Sequence, residues 1–198
     1  DLGGGKILMG LSHAQNFHLV KEILETIHRI SRRGLYDYSG KNLYHYAVDQ
    51  ENLRFIDAVY NSDIDLDIDE KDNEGNTPLH DAVKKVKMDF VRTLLKYRAD
   101  PNKQNNQGFT PLHLSVFSLN LETARLLINK GANADICDYH DEMSPLDRAI
   151  IDDDFEMVQI LINDRVQSGC LSPIFRAAQE GSVEVLKMLL DQTEDLSK

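Results

Sequence analysis

The chain has 198 residues, 33 acidic and 22 basic side chains and a formal net charge of −11. That balance repels phosphate backbones and anionic headgroups, which argues against nucleic acid or a membrane surface as partner. Two cysteines, no N-x-Ser/Thr sequon and an N-terminus without the basic and apolar regions of a secretory signal point to a reducing compartment, cytosol or nucleus, with Cys137 and Cys170 as free thiols.

In chain order, residues 1–10 read as a linker: Asp1-Leu-Gly-Gly-Gly5 resembles a junction, so the segment is expected to come from a longer protein. The lone Gly3-Gly-Gly-Lys6 lacks the P-loop spacing and the Ser or Thr after lysine, and is not read as a nucleotide site. Phe17, Val20, Ile23, Leu24 and Ile27 recur at helical spacing and define a capping unit over 11–36. No apolar run approaches the roughly 18 residues needed to cross a bilayer.

From there the chain repeats. Gly40-Lys-Asn-Leu-Tyr-His45 opens a unit over 37–71, Asn73-Glu-Gly-Asn-Thr-Pro-Leu-His80 one over 72–104, and Asn106-Gln-Gly-Phe-Thr-Pro-Leu-His113 one over 105–137. Ser144-Pro-Leu-Asp147 marks 138–167 and Ser172-Pro-Ile-Phe175 marks 168–198. In the two fullest copies, Gly75 and Gly108 permit a tight turn, Thr77 and Thr110 can cap a helix, and Pro78 and Pro111 fit its first turn. Each start is followed by one short apolar helix and then a second, such as Phe90, Val91, Leu94 and Leu95. A helix pair of this size cannot bury its apolar faces alone, so the units of 11–198 are expected to stack as one domain.

Thr-Pro-Leu-His occurring twice 33 residues apart, with Arg98-Ala-Asp-Pro-Asn102 and Gly131-Ala-Asn-Ala-Asp135 as linking turns, resembles the ankyrin-repeat family. The resemblance implies an all-α solenoid of about six stacked helix pairs with short β-hairpin fingers. It implies a non-catalytic module that holds a protein partner along a concave face, with no cofactor, metal or small-molecule substrate. The positions that punctuate the repeat without supporting it are the candidate contacts: Tyr38, Lys41, Asp49, Gln50, Asn73, Glu74, Asn76, Lys84, Lys85, Asn106, Gln107, Phe109, Phe117, Ser118, Tyr139, His140 and Ile151. Phe109 and Phe117 stand out, because the fold is served there by a small residue or an amide and aromatics anchor interfaces. Lys84, Lys85 and Lys87 read as a local basic patch. Met88-Asp and Leu121-Glu, in place of the common Gly-His, are also similar to the inhibitors of Rel/NF-kappaB factors. The alternative is a substrate-targeting segment of a larger enzyme or secreted effector.

Two metal readings are weighed and set aside. Asp63-Ile-Asp-Leu-Asp-Ile-Asp69 with Glu74 places oxygens at EF-hand positions, but Ile68 stands where that loop needs glycine. His45, His80 and His113 recur one repeat apart, too far to share an ion, and are expected to tie each helix start to its turn.

Overall fold

A computed structural model describes residues 36–62, 65–162 and 172–195, with isolated positions 10, 22 and 26, and side chains to Asp191. The capping unit expected over 11–36 therefore lies almost wholly outside the described residues, as does Cys170. Among the described residues ten helices are delimited: α1 Leu43–Asp49, α2 Leu53–Tyr60, α3 Pro78–Lys84, α4 Met88–Lys96, α5 Pro111–Phe117, α6 Leu121–Asn129, α7 Pro145–Ile151, α8 Phe155–Leu161, α9 Pro173–Glu180 and α10 Val183–Asp195. They fall into two compact units, Asp1–Asn106 and Gln107–Lys198.

In the first unit α1 packs on α2 and α3 on α4, and the pairs stack α1 on α3 and α2 on α4. Leu43, Ala47, Phe55, Ile56, Leu79, Ala82, Val91 and Leu94 are wholly buried there. The second unit repeats the scheme with α5, α6, α7, α8, α9 and α10, around Leu112, Ala124, Leu127, Ile150, Met157 and Val185. At about 25 cal/mol per Å² of apolar surface removed from water, these interiors stabilise each stack far more than any single polar contact does.

The helix starts follow their sequence. Thr77 and Thr110 have extended backbone, accept the N3 amide on the hydroxyl, and donate their own backbone N–H to the N3 histidine ring in return, a reciprocal capping box. Asn42 and His45 form the same box, and Ser144 with Asp147 its acidic version. Thr77→Ala is expected to lower the urea midpoint by a free energy of about 0.5–2 kcal/mol. An unchanged midpoint would contradict the capping role.

Two features depart from expectation. No residue among those described lies in a strand, so the fingers are turns rather than β-hairpins; the Asp72 N–H to Asn76 carbonyl bond at 2.9 Å closes one, and Asp138 N–H to Met143 carbonyl another. Cys137 is engaged in a disulfide, so the free thiol expected there is not found.

The turn inside each helix pair follows one pattern. A residue just beyond each first helix, two past its end in four pairs and one past it at Gly181, has positive φ, and its N–H and the next one bond back to the last helical turn, as in Leu119 to Val116 and Asn120 to Ser115. Glycine suits that position and Gly181 supplies it once, yet the other pairs carry Glu51 and Val86 at φ 55° and Leu119 and Asp153 at φ 52°. A β-branched or bulky side chain there is strained by about 1–3 kcal/mol.

Candidate protein-binding surface

The fingers build their stack through amides. Asn73 donates its side-chain amide to the Tyr38 carbonyl at 2.7 Å, and Asn106 repeats this to the Asn73 carbonyl at 2.9 Å. Their backbone N–H groups reach the Ser39 and Glu74 carbonyls in the same register. In the second unit the Tyr139 N–H donates to the Gln107 carbonyl. Asn73 and Asn106, singled out as contacts, thus hold neighbouring turns together. Asn76 needs correction: it is only 6% exposed, its side chain bonding Glu74 and Asn105 and its carbonyl His45, so it is not offered to a partner.

The histidines make a two-ended tie. Each Nδ1 accepts the N-cap N–H, at 3.2 Å from Asn42 to His45 and 3.0 Å from Thr110 to His113. That fixes the proton on Nε2, which donates onward to the Asn76 carbonyl from His45 and the Met143 carbonyl from His113. Burial lowers the pKa of both rings below the ordinary histidine value and favours this neutral form.

His45, Asp72 and Asp81 bring ligand atoms within 4.8 Å of one another, a geometry that invites a metal. Both nitrogens of His45 are already committed to the backbone. The buried Asp81 Oδ2 has no well-directed hydrogen bond, but Lys41 Nζ lies 3.3 Å away as its counter-ion. Lysine occupies the place of a cation, so the cluster is read as structural.

The basic residues are also internally committed. Lys41 bridges Asp49 at 2.9 Å and Asp81; burial works against its charge, but the two carboxylates prevail and raise its pKa. Lys85 pairs with Asp49 and Lys87 with Glu51, side chains from the preceding repeat. The patch expected from Lys84, Lys85 and Lys87 is therefore compensated at two of its three members.

The acidic run at the base of the second finger serves the stack. Asp67 accepts the Asp69 N–H, and both oxygens of Asp69 receive the Asp100 N–H at 3.0 and 3.1 Å; Leu66 is buried. Burial pushes the Asp69 carboxyl up to about 6, partly offset by the Asp100 N–H and reinforced by the Asp67 and Asp100 charges. A folded pKa above the unfolded value of about 3.9 means that this group favours folding fully below that value and loses its contribution as pH rises through about 6. Asp69→Asn should then melt higher than the parent at pH 7, with the difference vanishing by about pH 4. A variant no more stable at pH 7 would contradict the burial argument.

Apolar surface is left to solvent at the end of α5. In the second unit Phe117 ends α5 at 45% exposed, Phe109 is half-buried before it, and the rings meet edge to face with centroids 5.0 Å apart. Leu119, in the strained turn that follows, is 63% exposed. The Arg148 guanidinium of α7 lies 5.9 Å from the Phe117 ring centroid and pairs with Asp152 at 2.9 Å. Ser118 is exposed, with its hydroxyl donating to the Leu114 carbonyl of its own helix. Tyr139 and His140 are exposed on the next finger. In the first unit Tyr38, Glu74, Lys84 and Lys85 are exposed, and Asp49, Gln50 and, in the second unit, Ile151 are half-buried. Leu119 and Arg148 were missed by sequence reasoning; an apolar side chain where the turn wants glycine was the available signal.

Family models described as ankyrin repeats (3 copies) and ankyrin repeats (many copies) match residues 64–139 and 146–190. The chain belongs to the ankyrin-repeat family, whose repeats generally mediate protein–protein interaction. No curated protein matches it. No helix among the described residues is long and apolar enough to cross a membrane.

Proposed function

We propose that this chain is a non-catalytic module that binds a partner protein, with Phe117, Leu119 and Phe109 as its apolar anchor. The observation that carries this is large apolar surface held in solvent, at 45% and 63% exposure, where the repeat needs none and where Leu119 adds backbone strain. Aromatic side chains in such settings supply interface area at little entropic cost. Tyr139 and His140, exposed on the next finger of the same unit, then belong to the rim.

Affinity purification with the parent chain and a Phe109→Ala/Phe117→Ala variant side by side tests the reading. A protein retained by the first and lost from the second is expected; equal recovery from both overturns the placement. The similarity to Rel/NF-kappaB inhibitors makes a Rel dimerisation region one defined partner to try, and no retention at micromolar concentration removes it. A larger enzyme that used this segment to select substrates would rely on the same surface.

A further inference from the structure

Charge is divided unevenly along the chain. Residues 107–198 hold 16 Asp and Glu against 7 Lys and Arg, a net of −9 out of the total −11. Part of this excess lies in the repeat packed beside the apolar anchor. On one side, the finger carrying Asp141 and Glu142 is fastened beside Phe109 by the Tyr139 N–H to Gln107 bond. On the other, α7 packs on α5 and ends in the turn with Asp152 and Asp153, the latter at the same register in its helix pair as Leu119.

Asp141, Glu142 and Asp153 are exposed and have no counter-ion among the described residues. Arg148 lies over the Phe117 ring, and it is held by Asp152. The repeat packed beside the anchor thus presents three exposed carboxylates, Asp141 and Glu142 at its finger and Asp153 at its helix turn, that no cation among the described residues neutralises.

We propose that the partner segment bound here is basic, an apolar side chain flanked by Lys or Arg, with the apolar group on Phe117 and Leu119 and the cations on the acidic turns. This rests on the protein-binding reading above and specifies its partner. An acidic segment would meet the exposed carboxylates of the neighbouring repeat, and like charges brought together in an interface suppress binding strongly. Favourable pairing would appear mainly in association rate and salt dependence.

The test uses the whole chain and three short fluorescent peptides, one alternating Leu and Lys, one Leu and Glu, one Ser and Lys. Anisotropy should show the Leu–Lys peptide bound most tightly. Its affinity should fall by about tenfold or more in the combined Asp141→Asn, Glu142→Gln, Asp153→Asn variant, and fall as salt rises. Phe117→Ala should weaken it by a similar factor, and Arg148→Ala should tighten it by releasing Asp152 and the ring face. Circular dichroism melts establish that each variant remains folded. Preferred binding of the Leu–Glu peptide, weakened by both Phe117→Ala and Arg148→Ala, overturns the basic partner while leaving the binding surface in place. Leu–Lys binding indifferent to Phe117→Ala overturns the surface itself, and failure of all three peptides to bind overturns the proposal.

Discussion

Gly108→Ala should cost the second unit about 3 kcal/mol or more of stability, whereas Gly131→Ala should cost only about 1. Both glycines have positive φ, +85° and +90°, so the backbone strain of an added Cβ is nearly the same. Space separates them. A Cβ on Gly131 meets nothing within 4 Å, while one on Gly108 falls 2.9 Å from the Asp138 carbonyl carbon, 2.8 Å from Tyr139 Cγ and closer still to the Tyr139 backbone nitrogen. That nitrogen is the donor to Gln107 that joins the two fingers. Relieving the overlap therefore requires the fingers to separate, with loss of a hydrogen bond as well as packing. Urea melts of both variants, with the difference between them as the readout, isolate the close approach from the shared strain. Equal losses would show that strain alone fixes Gly108.

What the sequence disclosed and what it withheld divide along a physical line. Interactions within a repeat are spaced by the chain itself, so Thr77 and Thr110 as caps, Pro78 and Pro111 at first turns and the apolar spacing of α3 to α8 could all be read from residues a few positions apart. Interactions between repeats depend on which side chains the stack brings into register some 30 or more residues away. His45 reaching the Asn76 carbonyl is one; Lys85 neutralised by Asp49 and Lys87 by Glu51 are others. The lysines looked like a basic patch because their partners lie one repeat upstream. Asn76 looked like a fingertip because tip and base of a short turn cannot be told apart before its closing bonds are known, and it proved to be the buried base. The strained turn residues were misplaced by two positions: the missing glycine was read at Met88 and Leu121, whereas the turn sets it at Val86 and Leu119, whose side chains face water.

That exposure underlies the largest functional effect expected. Replacing Phe109 and Phe117 together by alanine should remove partner binding while leaving the melting temperature nearly unchanged. Phe117 is 45% exposed and Phe109 half-buried, and their main recorded ring contacts are with each other, with His113 and, for Phe117, with Arg148. Truncation therefore removes part-exposed surface area and an edge-to-face pair worth about 0.5–1.5 kcal/mol, and it leaves the buried Leu112, Val116 and Ala149 of the second unit in place. A buried phenylalanine cut to alanine would instead cost about 3–5 kcal/mol. In the complex, each anchor ring accounts for about 2 kcal/mol or more, so the pair is expected to lower affinity by roughly three orders of magnitude. Melting and binding must be measured on the same protein. A large fall in melting temperature would mean that the rings support the stack, and binding would then be lost through unfolding. Native melting with undiminished affinity would move the partner off α5 altogether, to the exposed fingers carrying Tyr38 and Glu74 or Tyr139 and His140.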